Sequence, residues 1–422
     1  PAFAQDPALD KDTIAEAEAL IEAGLASSVG YDIIEGLTTE IGPRLGGSEA
    51  EARARDWTVA KMKALGFKNV RIEPFDVTYW ERVVEEGAIV APFPQPLVLT
   101  ALGGSVSTPP EGVTAEVVRF ASLAELEDAP MTGLEGKIVF VDEYMTRTQD
   151  GSGYGVAVAK RSGAAQEAGK RGAAAALIRS VGTDSHRMPH TGAMGYGDVE
   201  TKVPAAALAA PDADQLKRAM ERGPVTVRLK LETRSPGTQQ SGNVIGEIPG
   251  RTDEIVVIGG HLDSWDLGTG AVDDGAGVGI TMGAAKLIID SRQKPERTIR
   301  VVAFGSEEIG LWGARAYAEA HADEIDRHVV GSESDFGAGR IYKFSTRFGE
   351  SRLYKGAEMA RVLKPLGIDP GDNEATGGPD MSPLTMLGVP VVSLEQGLER
   401  WTATDFQHNH DAMRHMVRKT MM

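Results

Sequence analysis

Acidic and histidine side chains recur at three points in the C-terminal half of the chain, each shortly after an apolar run. The runs and the side chains that follow them are Ile255–Gly259 with His261 and Asp263, Ile299–Phe304 with Glu307 and Glu308, and Val329–Gly331 with Asp335. A glycine-rich loop between the first two runs adds Asp273 and Asp274. Carboxylates and imidazole are ligands for divalent metal ions, so these residue types could form a metal site.

Metal chemistry explains why several acids would occur together. The chain has no cysteine, so His, Asp and Glu must supply every metal ligand. Two divalent ions about 3.5–4 Å apart need a bridging carboxylate and further ligands for each ion, and they acidify water. A carboxylate that is not a ligand can then carry the proton. Adjacent acids such as Glu307 and Glu308 could place a ligand and a general base on one turn.

Each of these residues also has a structural interpretation. A single acid at a strand end is commonly a helix cap or a solvated loop residue, and paired acids are common at helix starts. His261 could be a hydrogen-bonded core histidine. Three successive strands that all end in this way favour the metal site. His321 and His328 lack such surroundings and are predicted to be surface or helix residues.

The elements around these side chains predict how they are positioned. From residue 243 onward, apolar strands alternate with helices predicted at 275–290, 312–322 and 350–366, and a further strand is predicted at Val389–Leu394. Continuous apolar strands separated by helices indicate an α/β fold with a doubly wound, mostly parallel sheet. Ligands bind such sheets beyond the carboxyl ends of the strands, where the acids lie.

Two stretches rich in Pro, Gly and Ser predict domain boundaries, near 103–112 and 233–242. We therefore expect three parts, residues 1–111, 112–236 and 237–422, with the middle part a small inserted α/β or β-rich domain. Its predicted elements are strands at Ala115–Phe120, Lys137–Val141, Ala174–Arg179 and Val225–Leu231 and a helix at Val158–Arg171. Before the insert, helices are predicted from Ile14 and over Glu49–Leu65, followed by a strand at 70–75.

Composition limits the partners and the location. The 422 residues carry a formal net charge of -17, which repels phosphates and argues against a nucleic-acid partner. No apolar stretch is long enough for a transmembrane segment. Ala2-Phe-Ala4 has the small-x-small form of a signal peptidase site. The sequence therefore predicts an exported protein, periplasmic or secreted, whose first mature residue is Gln5; an arbitrary sequence boundary is the alternative.

At these motifs the chain resembles the di-zinc exopeptidases that include plasma glutamate carboxypeptidase (carboxypeptidase Q) and related bacterial zinc aminopeptidases. The matching stretches are Gly259–Gly277, Phe304–Gly310, Ser332–Asp335, Gly42–Ser48, Ala176–Ser180 and Pro189–Gly192. The first of these is highly specific. The resemblance implies a zinc-exopeptidase fold, a protease-associated domain as the insert, two zinc ions per chain and a possible homodimer.

The resemblance also implies a role for each matching residue. One zinc ion would be bound by His261 and Asp335, the other by Glu308 and a histidine near the C-terminus, with Asp273 bridging the two. Glu307 would be the general base. Asp263 would orient His261 without itself binding a metal ion.

The C-terminal segment departs from the pattern of the family. The family has a histidine, a small polar residue, two more residues and then an acid, whereas here Asp411 comes one residue early. Aligning Phe406 and Met413 makes His408 the ligand, and His410 is the alternative.

The sequence therefore predicts a zinc exopeptidase that hydrolyses dipeptides or short peptides with a free N-terminus, as an aminopeptidase or a dipeptidase. Two alternatives stay open. A glutaminyl cyclase has a similar sheet and uses one zinc ion, and a non-catalytic binding protein could keep the fold without its metals. The altered C-terminal motif is the feature that favours the second alternative.

Overall fold

The computed structural model of the protein describes residues 9, 11–148, 150–335 and 337–397. Within this range the chain forms two compact units. The first unit contains the residues up to Val77 and those from Gln239 onward, and the second unit contains Thr78–Thr238. No helix in the described ranges is long and apolar enough to cross a membrane.

Eleven α-helices are described. They are α1 (Lys11–Ala26), α2 (Val29–Gly36), α3 (Glu49–Leu65), α4 (Leu123–Glu127), α5 (Ser152–Ala157), α6 (Lys160–Lys170), α7 (Ala210–Met220), α8 (Ala276–Ser291), α9 (Trp312–Ala320), α10 (Leu353–Leu363) and α11 (Ser382–Met386).

Fourteen β-strands accompany them in the described part of the chain. They are β1 (Lys68–Ala91), β2 (Gln95–Leu97), β3 (Leu99–Ala101), β4 (Val113–Phe120), β5 (Ile138–Val141), β6 (Ala175–Arg179), β7 (Ala205–Leu208), β8 (Thr226–Ile248), β9 (Ile255–His261), β10 (Thr298–Phe304), β11 (His328–Glu333), β12 (Ile341–Arg347), β13 (Asp369–Pro370) and β14 (Val391–Gln396).

The sheet of the first unit is mixed. Its strand order is β13-β12-β14-β11-β9-β10-β8. The central strand β9 is parallel to both β10 and β11, and β11 is parallel to β14. Two pairs, β10 with β8 and β12 with β14, are antiparallel. The α/β class is therefore confirmed, with antiparallel strands outside a parallel centre.

The sheet of the second unit has a parallel core of four strands, β4-β5-β6-β7. Strand β3 pairs with β7 in the antiparallel direction. Helix α6 lies against β5 and β6, and its buried alanines pack with Val139 and Ile178. Every residue of β5, β6 and β7 is buried, which explains their short apolar sequences.

Helix α3 shows how local sequence sets an element. Its N-cap residue, Ser48, accepts a hydrogen bond at 3.1 Å from the main-chain N–H of Glu51. The helix ends at Gly66, whose left-handed conformation closes the last turn. Both ends agree with the bounds that the sequence predicts. Buried Ala54 and Met62 pack this helix into the core of the first unit.

The first turn of α8 lies very close to the ends of two strands. A Cβ atom on Gly277 would lie 1.8 Å from the carbonyl oxygen of Ser334, just after β11. A Cβ atom on Gly260, in β9, would lie 2.7 Å from the carbonyl carbon of Gly277. Glycine is required at these positions because any side chain would collide with main-chain atoms.

The expectation that His321 and His328 are surface or helix residues is wrong. His321 directly follows α9, His328 begins β11, and both are buried. The ring of His328 lies 2.9 Å from the hydroxyl of Tyr317, and His321 has Glu73 and Glu324 within 3.0 Å of its two nitrogens. These partners satisfy the ring nitrogens with hydrogen bonds, which explains why both histidines can be buried.

Candidate active site

The carboxyl ends of β9, β10 and β11 meet at one edge of the sheet of the first unit. In the register of the strands, His261 on β9 lies beside Phe304 on β10, and Gly259 lies beside Glu333 on β11. The residues that follow these three strands are therefore neighbours in space. The Asp273 loop, which leads from β9 into α8, contributes a fourth segment.

Three predicted ligands lie within contact distance of each other. Nε2 of His261 is 2.9 Å from Oδ1 of Asp273 and 3.4 Å from Oδ1 of Asp335. One potential ligand atom from each of these three residues lies within 4.8 Å of the others. The imidazole is buried, whereas the Asp273 side chain keeps 32% of its surface exposed. The cluster thus opens to solvent on the Asp273 side.

Glu307 and Glu308 lie in the turn after β10, and both are held by Asp263. The Asp263 carboxylate accepts hydrogen bonds from the main-chain N–H groups of Glu307 at 2.9 Å and Glu308 at 3.3 Å. Oε2 of Glu307 lies 4.0 Å from Nε2 of His261. The predicted base thus lies beside the cluster, with its main chain fixed.

Asp263 contacts His261 mainly through its main chain. Nδ1 of His261 is 3.0 Å from the carbonyl oxygen of Asp263 and 3.6 Å from its carboxylate. A distance of 3.6 Å is too long for a hydrogen bond. The carbonyl of Asp263 therefore orients the ring and leaves Nε2 facing Asp273. The carboxylate instead accepts the hydrogen bonds of the Glu307–Glu308 turn.

Asp274 is a further acid that connects the elements of the site. Its carboxylate accepts hydrogen bonds from the main-chain N–H of His261 at 3.0 Å and that of Gly277 at 2.9 Å. It thus ties the end of β9 to the first turn of α8. The sequence placed Asp274 in the motif but assigned it no role.

Burial of like charges shifts the protonation of the cluster. Burial is the largest cause that raises the pKa of Glu307, to about 9, against the opposing effect of His261. Burial, followed by the Asp273 carboxylate, also raises the pKa of Glu308 well above its usual value. For His261, burial favours the neutral ring, but Asp335 and its neighbours raise the pKa well above 6.5. Without a cation, the site therefore retains protons.

A second buried pair of acids, Glu333 and Asp380, lies close enough to Asp335 for Glu333 to interact with its charge. The main-chain N–H of Asp380 donates to Glu333 at 2.7 Å, and the side chains of both residues are buried. Burial, with Asp335 adding to it, raises the pKa of Glu333 to about 8. Burial and Glu333 raise the pKa of Asp380 well above its usual value. The sequence suggested Asp380 as a pocket residue, but the described structure places it in the interior.

The segment before α3 packs against the loop that follows β9 and the turn that follows β10. The guanidinium of Arg44 is fully buried and binds carbonyl oxygens of the loop between β9 and α8. A Cβ atom on Gly46 would lie 2.9 Å from Cα of Ser306, next to Glu307. The sequence identified this segment as a family motif, but its structural role depends on contacts with residues more than 200 positions away.

The residues present fit a divalent cation. Imidazole and carboxylate are suitable zinc ligands. The acids of the cluster are more numerous than the positively charged side chains beside them. A bound cation would displace the protons that these acids and His261 retain in its absence. The predicted fifth ligand, His408, and its alternative, His410, lie outside the described residues.

This fold and this cluster define the metallopeptidase class of enzymes. Residues 243–422 match the model of Peptidase family M28. The chain is 35% identical over 410 residues to carboxypeptidase Q of Bos taurus, covering 94% of this chain and 83% of the relative. It is similarly 34% identical over 404 residues to carboxypeptidase Q of Homo sapiens, at 94% and 83% coverage.

Solved structures show the same relationship. A Peptidase M28 precursor from Shewanella amazonensis SB2B matches with a TM-score of 0.92 and 45% identity, covering 97% of this chain and 95% of that one. BSAP, a zinc aminopeptidase from Bacillus subtilis, shares the fold with a TM-score of 0.64 at 21% identity, over 93% and 94% of the two chains. The chain therefore belongs to peptidase family M28, alongside carboxypeptidase Q, and the prediction of a metallopeptidase enzyme is confirmed.

Proposed function

We propose that the protein is a co-catalytic di-zinc exopeptidase that hydrolyses dipeptides or short peptides with a free N-terminus. The observation that carries this proposal is the convergence of His261, Asp273 and Asp335 beside the Glu307–Glu308 turn. Family membership supports the peptidase reaction.

The ligand sets are those that the family resemblance implies. His261 and Asp335 would hold one ion, Glu308 and His408 the other, and Asp273 would bridge them. His408 enters this set from the sequence alone. When bound, two zinc ions supply Lewis acidity that polarises the peptide carbonyl and acidifies water.

Glu307 would act first as the general base and then as the general acid. Its carboxylate lies near the cluster without being needed as a ligand, and Asp263 fixes its main chain. It would take a proton from the attacking water and return it to the nitrogen of the leaving amine as the C–N bond breaks. Its raised pKa of about 9 shows that the buried site favours the protonated form. Bound cations would lower this pKa and restore the base.

An unblocked dipeptide is the substrate class that fits the relatives best. Their names include carboxypeptidase Q and leucine aminopeptidase 2, the latter from Arthroderma otae at 25% identity. A dipeptide presents both a free amine and a free carboxylate next to one bond. An acidic site also accepts an ammonium group more readily than a second anion.

The remaining proposals concern the rest of the chain. Residues 112–236, which lie within the second unit, would form a protease-associated domain. The Ala2–Ala4 pattern supports export to the periplasm or medium. A homodimer is proposed from the family resemblance, and sedimentation of the full chain would test it.

Two measurements on the full chain test the function. Metal analysis after dialysis should give two zinc ions per chain. A single ion would favour the cyclase alternative, and none the binding-protein alternative. An unblocked dipeptide, an amino-acid arylamide and a doubly blocked peptide should then be compared. Efficient cutting of an internal bond in the blocked peptide would contradict exopeptidase action.

A further inference from the structure

Arg44 is a fully buried arginine whose guanidinium binds main-chain carbonyl oxygens. Nε donates to Leu262 at 2.5 Å, and Nη2 donates to Gly270 at 2.8 Å. Nη1 donates to Thr269 at 2.7 Å and to Gly42 at 3.2 Å. A planar guanidinium can span several acceptors at once, which the single ammonium of a lysine cannot do.

Three of these acceptors, the carbonyls of Leu262, Thr269 and Gly270, lie at the two ends of one loop. Leu262 directly follows His261, and Gly270 is three residues before Asp273. Arg44 therefore joins the start of the loop, at the end of β9, to the point where the chain turns towards α8. A second contact reinforces this link, because the main-chain N–H of Ser264 donates to the carbonyl of Arg44 at 3.2 Å.

The loop leaves little room around the guanidinium. A Cβ atom on Gly270 would lie 2.6 Å from Nη1 of Arg44 and 2.4 Å from Cβ of Ser264. Gly270 also has a φ of +62°, a left-handed conformation that other residues adopt at a cost. The glycine thus permits the close approach on which the arginine contacts depend.

Arg44 also places a positive charge among acids. Burial lowers its pKa to about 10, with Asp263 and Asp274 opposing this shift, so the group stays charged at neutral pH. Such a charge has two opposite effects on a metal site. It reduces repulsion between carboxylates in the metal-free protein, and it repels an incoming cation.

We propose that Arg44 is a positioning residue that holds the loop between β9 and α8 in the shape that presents Asp273 to the metal cluster. It acts through main-chain carbonyls, without contact to substrate. This role rests on the proposed di-zinc function. Its loss lowers zinc affinity because the bridging carboxylate is no longer held in place.

The test compares zinc affinities of full-length variants by competition with a chromogenic chelator. Arg44→Lys keeps the charge and loses the planar fork, and we expect zinc affinity to fall about 10–100-fold, as for other residues that orient metal ligands. For an unblocked dipeptide, kcat should fall more than KM rises. Arg300→Lys is the matched control, because this arginine is also buried in the first unit but binds Glu247, Tyr317 and Glu324. The control should lose thermal stability and retain zinc affinity.

Two further variants make the result decisive. Gly270→Ala should weaken zinc binding in the same direction, and the double variant with Arg44→Lys should lose less than the product of the two single losses. Arg44→Met removes the charge as well. If it binds zinc more tightly than the parent, charge repulsion dominates and the proposal is overturned. If it does not fold, the Lys and Ala variants decide.

Unchanged zinc affinity in Arg44→Lys, with two zinc ions still bound by the parent protein, would overturn the positioning role and leave the proposed function intact. A parent protein that binds no zinc would overturn both. The apparent stability of each metal-free variant, measured in parallel, separates general destabilisation from loss of the bridging ligand.

Discussion

Glu307 and Glu308 are adjacent glutamates with different proposed tasks. Glu307→Gln should keep the fold and both metals, because an amide of the same shape preserves the main-chain bond to Asp263. Turnover should fall about 10²–10⁴-fold, the usual contribution of a general base. Glu308→Gln should lower zinc content as well as rate. Metal analysis and steady-state kinetics on both variants check this. A Glu307→Gln enzyme with a near-parental rate would assign the base elsewhere.

Asp263 supports the site through the glutamate turn as well as through His261. Asp263→Ala removes the acceptor shared by the N–H groups of Glu307 and Glu308, leaving two part-buried donors unpaired. We expect zinc affinity or activity to fall about 10–100-fold. The control is Asp253→Ala, an acid just before β9 whose side chain is 82% exposed. Equal zinc affinity and activity in the two variants would indicate that Asp263 is not needed.

At the scale of elements, the site depends on how closely α8 approaches the strands. Gly277→Ala would place a Cβ atom 1.8 Å from the carbonyl oxygen of Ser334, so the helix must move away from the sheet. Overpacking of this kind costs about 1–3 kcal/mol. Because Asp274 links α8 to His261, zinc binding should weaken together with stability.

Gly349→Ala is the matched control for the helix contact. A Cβ atom there has no atom within 4 Å, and the φ of -62° suits alanine. Denaturant unfolding and zinc titration of both variants measure the difference. A Gly277→Ala protein that is as stable as the control would show that the helix can shift at no cost.

The strand ends were the most predictable part of the site. Buried parallel strands give continuous apolar runs, and acids that follow three such runs must meet at one edge, so His261 and Asp335 could be placed together from the sequence. Arg44 and Asp380 could not be placed in this way. The Arg44 acceptors are up to 226 residues away in sequence, and such contacts leave no local pattern.

Elements without an apolar pattern were also missed. Strand β1 extends over Lys68–Ala91, but the sequence predicted only 70–75 of it. Most of its residues are only partly buried or exposed, so charged side chains interrupt the alternation that identifies a strand. Helix α2 was missed for a different reason. Its eight residues include two glycines and follow closely on α1, so the two helices give no separate periodic signal.

At the scale of the molecule, the first unit is assembled from two chain segments. Arg44 and Gly46 come from the segment before Val77, whereas the described metal ligands and the Glu307–Glu308 turn come from the segment after Gln239. The site therefore forms only when these distant segments pair. Contacts of such high sequence separation slow folding, because a long loop must close before they can form.

Protons held by the metal-free site should make the stability of the whole protein depend on pH. The pKa of Glu307 is raised to about 9, and that of His261 lies well above 6.5. In the unfolded chain these groups release their protons near their ordinary pKa values, about 4.3 and 6.5. These two groups thus hold more protons in the folded state than in the unfolded state, up to about pH 9 for Glu307. Their contribution to stability falls as the pH rises through that window.

Zinc should remove this dependence because it replaces the protons. A thousandfold excess over Kd contributes about 4 kcal/mol to the free energy of unfolding. We therefore expect zinc to raise Tm more at pH 8 than at pH 5.5. Calorimetry of the chelator-treated and zinc-loaded protein across this range measures the difference, and Glu307→Gln should flatten the metal-free profile. A metal-free protein whose Tm rises with pH between 6 and 9 would mean that these carboxylates are not held together in the folded state.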